Sequence, residues 1–228
     1  MAQEIKNKYK TFIQTTMKQY HKIQTLYHRK PETNFKELME GVWAMPEFEM
    51  LKDITWVWTE KIDGTNIRVM WDGNQLKFGG KTDSAQIPAP LLKILEVIFT
   101  PDKMKACFAD GGEICLYGEG YGNRIQDGKN YLKDSVNFIL FDCWIDGYWL
   151  TRESLEDIAN KLNIGIVPIM GTGTLLEAIE FARKGYCSTI AENKQYLAEG
   201  LIMKPQVELL NRRGHRIITK IKYRDFKK

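Results

Sequence analysis

Six short stretches of this chain alternate apolar and polar residues with a period of two: ITWVWTEK at 54–61, TNIRVMW at 65–71, EICLYGE at 113–119, NFILFDCW at 137–144, EGLIMK at 199–204 and RIITKIKY at 216–223. That period sends successive side chains to opposite sides of an extended strand, so one face can be buried while the other stays wet. Asp-Gly pairs punctuate the chain at Asp63-Gly64, Asp72-Gly73, Asp110-Gly111, Asp127-Gly128 and Asp146-Gly147. Each is a hairpin or tight-turn signal, because Asp tolerates the left-handed region and Gly has no Cβ to clash there. Helical spacing appears elsewhere. APLLKILEVIF at 89–99 stops before Thr100 and Pro101, and Ser154 with Asp157 resembles a capping box opening SLEDIANKL. Thr174 with Glu177 does the same for TLLEAIEFARK, which Gly185 closes. Residues 1 to 30 also read as partly helical. With no internal repeat and no linker, the reading is one α+β domain over 1–228, with antiparallel β-sheets, flanking helices on their outer faces and an N-terminal extension over about 1–50.

Composition narrows the class. Apolar residues at 43%, charged residues at 27% and seven prolines describe a globular chain and exclude collagenous, low-complexity and wholly disordered ones. No apolar run reaches the length of a membrane span, and the opening MAQEIKNKYK lacks the apolar centre of an export signal, so a cytoplasmic protein without membrane contact is expected. Cys107, Cys115, Cys143 and Cys187 lie far apart and form no C-x-x-C pair, which points to reduced thiols and against a zinc site. A net charge of +4 suits polyanionic partners without naming one.

The string Glu60-Lys61-Ile62-Asp63-Gly64-Thr65-Asn66 places a lysine two residues before a turn between apolar strands. With five Asp-Gly pairs in the chain, that alone says little. Further polar strings follow in order on strands: LYGEGYG with Glu119, FILFD with Phe141, EGLIMKP with Glu199 and Lys204, and KIK with Lys220 and Lys222. Taken singly, each has a plainer reading. Phe141 sits in an apolar strand and reads first as core, and Glu119 between glycines reads equally as a solvated turn residue. Lys220 and Lys222 share one strand face, as they would on a solvated edge. Glu199 and Lys204 have opposite parity on a regular strand, so a bend near Gly200 is needed to bring both to one site. YHKIQTLYHRK at 20–30 mixes aromatic and basic residues and fits either a nucleic-acid contact or an amphipathic cover on the domain.

The order of these strings resembles the covalent nucleotidyltransferase superfamily of ATP-dependent RNA ligases, DNA ligases and mRNA capping enzymes. The resemblance runs from about residue 56 to 223 and takes in motifs I, III, IIIa, IV and V; Gly64-Thr65-Asn66 after motif I is most similar to the RNA ligases. It implies a nucleotidyltransferase domain of ATP-grasp-like type. ATP and Mg²⁺, with Mn²⁺ as a substitute, would be the cofactors, and RNA with 5′-phosphate and 3′-hydroxyl ends, including a nicked duplex, the partner. Lys61 would attack ATP to give a lysyl-adenylate, pass AMP to the 5′-phosphate and leave the 3′-hydroxyl to displace it. Attack needs the neutral amine, against a free lysine pKa of about 10.4, and neighbouring cations favour that form.

By the same resemblance Lys220, Lys222 and Glu199 join Lys61 in catalysis, Glu199 as the metal ligand. Glu60 and Ile62 flank the nucleophile in the nucleotide pocket, with Glu60 against adenine. Asn66 lies near the phosphates or the second nucleotide, Glu119 at the ribose, Phe141 on the purine face, and Lys204 adds positive charge. Asp63 shapes the turn. Where RNA ligases often carry a phosphate-holding arginine after motif I, FGGKTDS offers Lys81, a point charge instead of a planar fork. Only Tyr223 to Lys228 follow motif V, so no C-terminal OB domain is expected. A compact DNA ligase, a guanylyl-transferring relative, or a nucleic-acid-binding module that lost the chemistry are the competing readings.

Overall fold

The computed structural model of the chain describes residues 19–109 and 112–227. In chain order its strands are Gln24–Thr25 (β1), Tyr27–Arg29 (β2), Leu38–Trp43 (β3), Trp56–Lys61 (β4), Thr65–Trp71 (β5), Leu76–Gly79 (β6), Ile114–Gly122 (β7), Val136–Ile145 (β8), Tyr148–Trp149 (β9), Gly165–Ile166 (β10), Ile169–Gly173 (β11), Gly200–Pro205 (β12) and Thr219–Lys222 (β13). The helices are Pro46–Met50 (α1), Ala89–Ile98 (α2), Pro101–Cys107 (α3), Arg152–Leu162 (α4) and Leu175–Lys184 (α5). One sheet runs β1-β13-β12-β4-β11; a second runs β10-β8-β7-β5-β6 with β9 beside β8; β2 and β3 form a small ribbon. Neighbours are antiparallel except at two short edges, where β1 lies parallel to β13 and β10 parallel to β8.

The alternation decides which face is covered. On β4, Trp56, Trp58 and Glu60 point to the buried side while Val57, Thr59 and Lys61 are less covered. Trp56 and Trp58 pack with Leu201 and Met203 of β12 and with Leu175, Ala178, Ile179 and Ala182 of α5. In the second sheet, Ile67, Val69 and Trp71 of β5 join Leu116 and Phe138 under Leu91 and Leu95 of α2 and Leu155 and Ile158 of α4. Each such fully buried large side chain contributes about 1.5–3 kcal/mol of transfer free energy. Helices thus seal one face of each sheet. The other faces meet where Lys204 of β12 reaches Asp142 of β8, with 2.7 Å between Nζ and Oδ2.

Several local expectations change. Asp72-Gly73 closes the β5–β6 hairpin, and Asp146-Gly147, with φ of 45° and 102°, closes β8–β9. Asp63-Gly64 makes no hairpin: it carries the chain from β4 in one sheet to β5 in the other. Gly64 is required there by close approach, since a Cβ would lie 2.3 Å from the Gly120 carbonyl oxygen. Asp127-Gly128 opens a 3₁₀ turn, and the Asp110-Gly111 pair falls outside the described residues. Thr100 and Pro101 do not merely stop α2; Thr100 caps α3 through its hydroxyl and Pro101 takes the first helical position. The cap of α4 is Thr151, three residues before Ser154, whose N–H it accepts. The Thr174–Glu177 capping box of α5 is present with both bonds.

The helix expected within residues 1–30 falls partly outside the described residues; over the rest the chain is extended. Leu26 and Tyr27 are buried in the core of the first sheet. Two cations of that stretch are paired: Arg29 with Asp225 near the end of the chain at 2.7 Å and Lys30 with Glu37 at 3.0 Å. Buried Leu26 and Tyr27, with the pairing of β1 to β13, fix residues 24–30 against the first sheet. Among the described residues no helix is long and apolar enough to cross a membrane.

Candidate active site

Strand register assembles the site. Lys61, Gly200 and Lys222 lie abreast on β4, β12 and β13, and Thr59, Ile202 and Lys220 form the next row on the same face. Gly200 has no room for a side chain, because a Cβ there would meet the Ile221 carbonyl oxygen at 2.1 Å. The bend at this residue turns Glu199 onto the lysine face, as its parity on a regular strand would not. Glu199 then accepts from Lys61 Nζ on Oε2 and from Lys222 Nζ on Oε1, the latter at 2.5 Å. Burial pushes the Glu199 carboxyl up, but the two lysines outweigh it and hold it below its ordinary value. Lys220 has no ion-pair partner among the described residues. Burial first, then Lys61 and Lys222, bring its ammonium down to about 8, against the partial opposition of Glu199. Exposed Lys81 adds a smaller push in the same direction, which places its charge toward the same region.

The second sheet supplies the facing groups. Asn66 of β5 lies directly opposite Glu119 of β7. Burial pushes the Glu119 carboxyl up to about 8; Lys61 and the Gly64 N–H pull it down, while Glu199 and Asp63 push it further up. The Asn66 side-chain oxygen is buried and has no hydrogen-bond partner among the described residues. Asp63, raised by burial and by Glu199, donates its backbone N–H to Tyr131 Oη at 3.1 Å, so the crossing between sheets is pinned from outside. Lys61, Asn66, Glu119, Glu199, Lys220 and Lys222 are brought together from two sheets.

Three other expected residues stand differently. Glu60 points away from Lys61 and is 1% exposed; Ser188 Oγ, Thr189 N–H (3.1 Å) and Thr189 Oγ1 (3.0 Å) donate to its carboxylate. Its side chain therefore holds the 188–189 loop in place. Ile62 is buried with Tyr121, Tyr131 and Ile139, and Phe141 packs against the same cluster. Phe141 sits at an irregularity in the β7–β8 pairing and remains half-buried, with the Tyr20 ring edge-on at 5.1 Å.

The sequence reading missed Asp142. Its Oδ2 accepts from Tyr20 Oη, Lys204 Nζ and Arg216 Nη1, each at 2.7 Å, and its Oδ1 from the Cys143 N–H at 3.2 Å. Burial alone would raise this carboxyl, but Lys204 and Arg216 hold it low. Arg216 also grips both oxygens of Glu208 and lies 4.4 Å over the Trp149 ring. His21 stacks on Tyr20 and, through burial and then the charge of Arg216, is brought down to about 4, which keeps it neutral. A signal existed: Asp142 is the one charged residue in the apolar strand NFILFDCW, and a buried charge requires partners. Arg68, buried on β5, was likewise passed over; it donates from Nε to the Gly80 carbonyl at 2.7 Å and fixes the turn before Lys81.

Among the described residues, no group of three or more His, Cys, Asp or Glu could hold a metal ion by itself. Glu199 still fits Mg²⁺, which takes one or two carboxylates and completes its shell with phosphate oxygens and water. The orphaned Asn66 oxygen and the desolvated Glu119 are acceptors facing the same space, suited to the hydroxyls of a nucleotide sugar.

A model of the RNA ligase family matches residues 54–222. No curated protein matches the sequence. Among solved structures, a Naegleria gruberi RNA ligase mutant with ATP and Mn superposes with a TM-score of 0.60 at 20% identity over 78% of this chain and 52% of that one. A second mutant of that ligase, also with ATP and Mn, gives 0.64 at 18% identity over 91% and 56%. A third, with AMP and Mn, gives 0.61 at 18% identity over 91% and 60%. At these identities the likeness is one of fold, and the chain spans between half and two thirds of each matched structure.

Proposed function

Because this chain belongs to the RNA ligase family, we propose that it is an ATP-dependent RNA ligase working through a lysyl-adenylate on Lys61. The observation that carries this reading is the Lys61–Glu199–Lys222 bridge with Lys220 beside it, facing Glu119 and Asn66 of the other sheet. The Naegleria structures hold ATP or AMP with Mn, and the same ligand classes are proposed here. In the first step Lys61 Nζ bonds to the α-phosphorus, the bond to the β-phosphate oxygen breaks and pyrophosphate leaves. Glu199 is the nearest acceptor for the proton that Lys61 sheds. Lys220 and Lys222 stabilise the charge that grows on the α-phosphate, in a position fixed by strand register before substrate arrives. Glu119 and Asn66 accept from the nucleotide, and half-buried Phe141 walls its base. Bound Mg²⁺, held by Glu199 directly or through water, would neutralise phosphate charge. The same cations then serve AMP transfer to a 5′-phosphate and its displacement by a 3′-hydroxyl.

The test is sealing of four nicked duplexes with ribo- or deoxyribonucleotides on either side of the break, at one salt concentration. Sealing that depends on 5′-phosphate and ATP, and on ribose at the 3′-hydroxyl side more than at the 5′-phosphate side, is expected, because A-form shape and 2′-hydroxyls are what distinguish an RNA end. Equal or faster sealing of the all-DNA nick would overturn the RNA assignment.

A further inference from the structure

Between β12 and β13 the chain makes an excursion, 206–218, whose tip the reaction does not use. The tip is a hairpin closed by the bridge between Leu210 and Arg216. Asn211 builds it. Its N–H donates to the His215 carbonyl at 2.8 Å, its carbonyl accepts from the Gly214 N–H at 2.9 Å, and its side-chain oxygen accepts from the N–H groups of Arg213 and His215, each at 3.0 Å. Gly214 takes a φ of 74°, which closes the turn with no neighbour in the way. A tip bonded to itself in this way loses little freedom when a ligand arrives.

The tip is also electrically uncompensated. Arg212, Arg213 and His215 are exposed, and neither arginine has an ion-pair partner among the described residues. The one acid of the excursion, Glu208, is engaged through both oxygens by Arg216. Val207 and Leu210 stand exposed beside the arginines, at 71% and 58%. At its base the hairpin is rooted in the site, since buried Arg216 shares Asp142 with Lys204 and the chain runs on from it into Lys220 and Lys222. Two exposed arginines are thus carried by an ordered backbone turn on the network that joins the two sheets.

We propose that the 211–215 hairpin docks the nucleic-acid strand, with Arg212 and Arg213 pairing with phosphates away from the reacting ends and Val207 and Leu210 lying against sugar and base edges. This rests on the RNA ligase reading above. Planar guanidiniums pair bidentately with phosphate and carry register without sequence preference. The test compares the wild type with an Arg212→Ala/Arg213→Ala double variant and with an Arg212→Lys/Arg213→Lys control, using a nicked duplex whose 3′-hydroxyl side is RNA. Label uptake from α-labelled ATP should be the same in all three, because among the described residues neither Arg212 nor Arg213 makes a side-chain hydrogen bond or ion pair with the residues around Lys61. The alanine variant should bind the duplex more weakly, and the slope of log K against log salt should be shallower by about two, at ~0.9 for each lost phosphate contact. Its KM for the duplex should rise while kcat holds, and the lysine control should keep the slope. Unchanged affinity and slope in the alanine variant would overturn the inference and leave the ligase reading standing. Failure of the wild type to take label or to bind the duplex would overturn both.

Discussion

Glu119 and Lys220 show one burial acting on opposite charges, and each yields a prediction. The Glu119 carboxyl holds its proton up to about pH 8 in the folded protein, against an ordinary value of 4.5. Between those values the native state binds more protons than the unfolded chain, so stability falls as pH rises from about 4.5 to 8. Glu119→Gln should remove that decline, and the difference between variant and wild type in urea unfolding at a series of pH values measures it; parallel curves would contradict the assignment. Lys220 runs the other way. Its ammonium, brought down to about 8 from 10.5, is held charged at neutral pH at a cost, and that cost fades as pH climbs from 8 toward 10.5. Lys220→Met should therefore unfold at a slightly higher urea concentration at pH 7, by no more than about 1 kcal/mol because solvent reaches and screens the group. The same variant should lose about a hundred- to a thousandfold in lysyl-adenylate formation, since the proposed mechanism sets this charge at the α-phosphate. A variant that is both less stable and fully active would place Lys220 on a solvated edge.

At the scale of elements, the crossing from β4 to β5 carries the most weight, because it joins the sheet of Lys61 to the sheet bearing Glu119 and Asn66. Gly64 fits against the Gly120 backbone with no space for a methyl group. Gly64→Ala should cost about 1–3 kcal/mol in thermal or urea unfolding through overpacking, and should depress adenylylation at temperatures where the variant is still folded. Normal stability and labelling would mean that the crossing tolerates displacement. Here the sequence was informative about strands and silent about their partners. Alternation marked β4, β5, β7, β8, β12 and β13, since burial of one face imposes a period of two, but Asp63-Gly64 looks the same whether it turns a hairpin or crosses between sheets. Lys220 and Lys222 were visible as one face by parity alone. Glu199 could not be placed by parity, and the bend at Gly200 decides it. The side-chain direction of Glu60 follows from strand alternation with Lys61, yet its partners Ser188 and Thr189 lie more than a hundred residues away and leave no local trace.

For the whole molecule, two sheets capped by separate helices are tied across their open faces by Asp142, which Tyr20, Lys204 and Arg216 all reach. Asp142→Ala would leave Arg216 paired with Glu208 but take the shared acceptor from Tyr20 and Lys204, and a loss of about 1–3 kcal/mol in urea unfolding is expected. A loss below about 1 kcal/mol would show that the sheets hold together without the network. The proposed chemistry depends on both sheets contributing to one site around Lys61. That is tested most directly by incubating the protein with α-labelled ATP and Mg²⁺ and separating it by denaturing electrophoresis, for the wild type and for Lys61→Ala. Label should stay on the wild-type chain and be absent from the variant, which should still join some of a strand supplied already adenylylated, because the proposed mechanism uses Lys61 as nucleophile in the first step alone. Undiminished label on Lys61→Ala, or none on the wild type, would contradict the account.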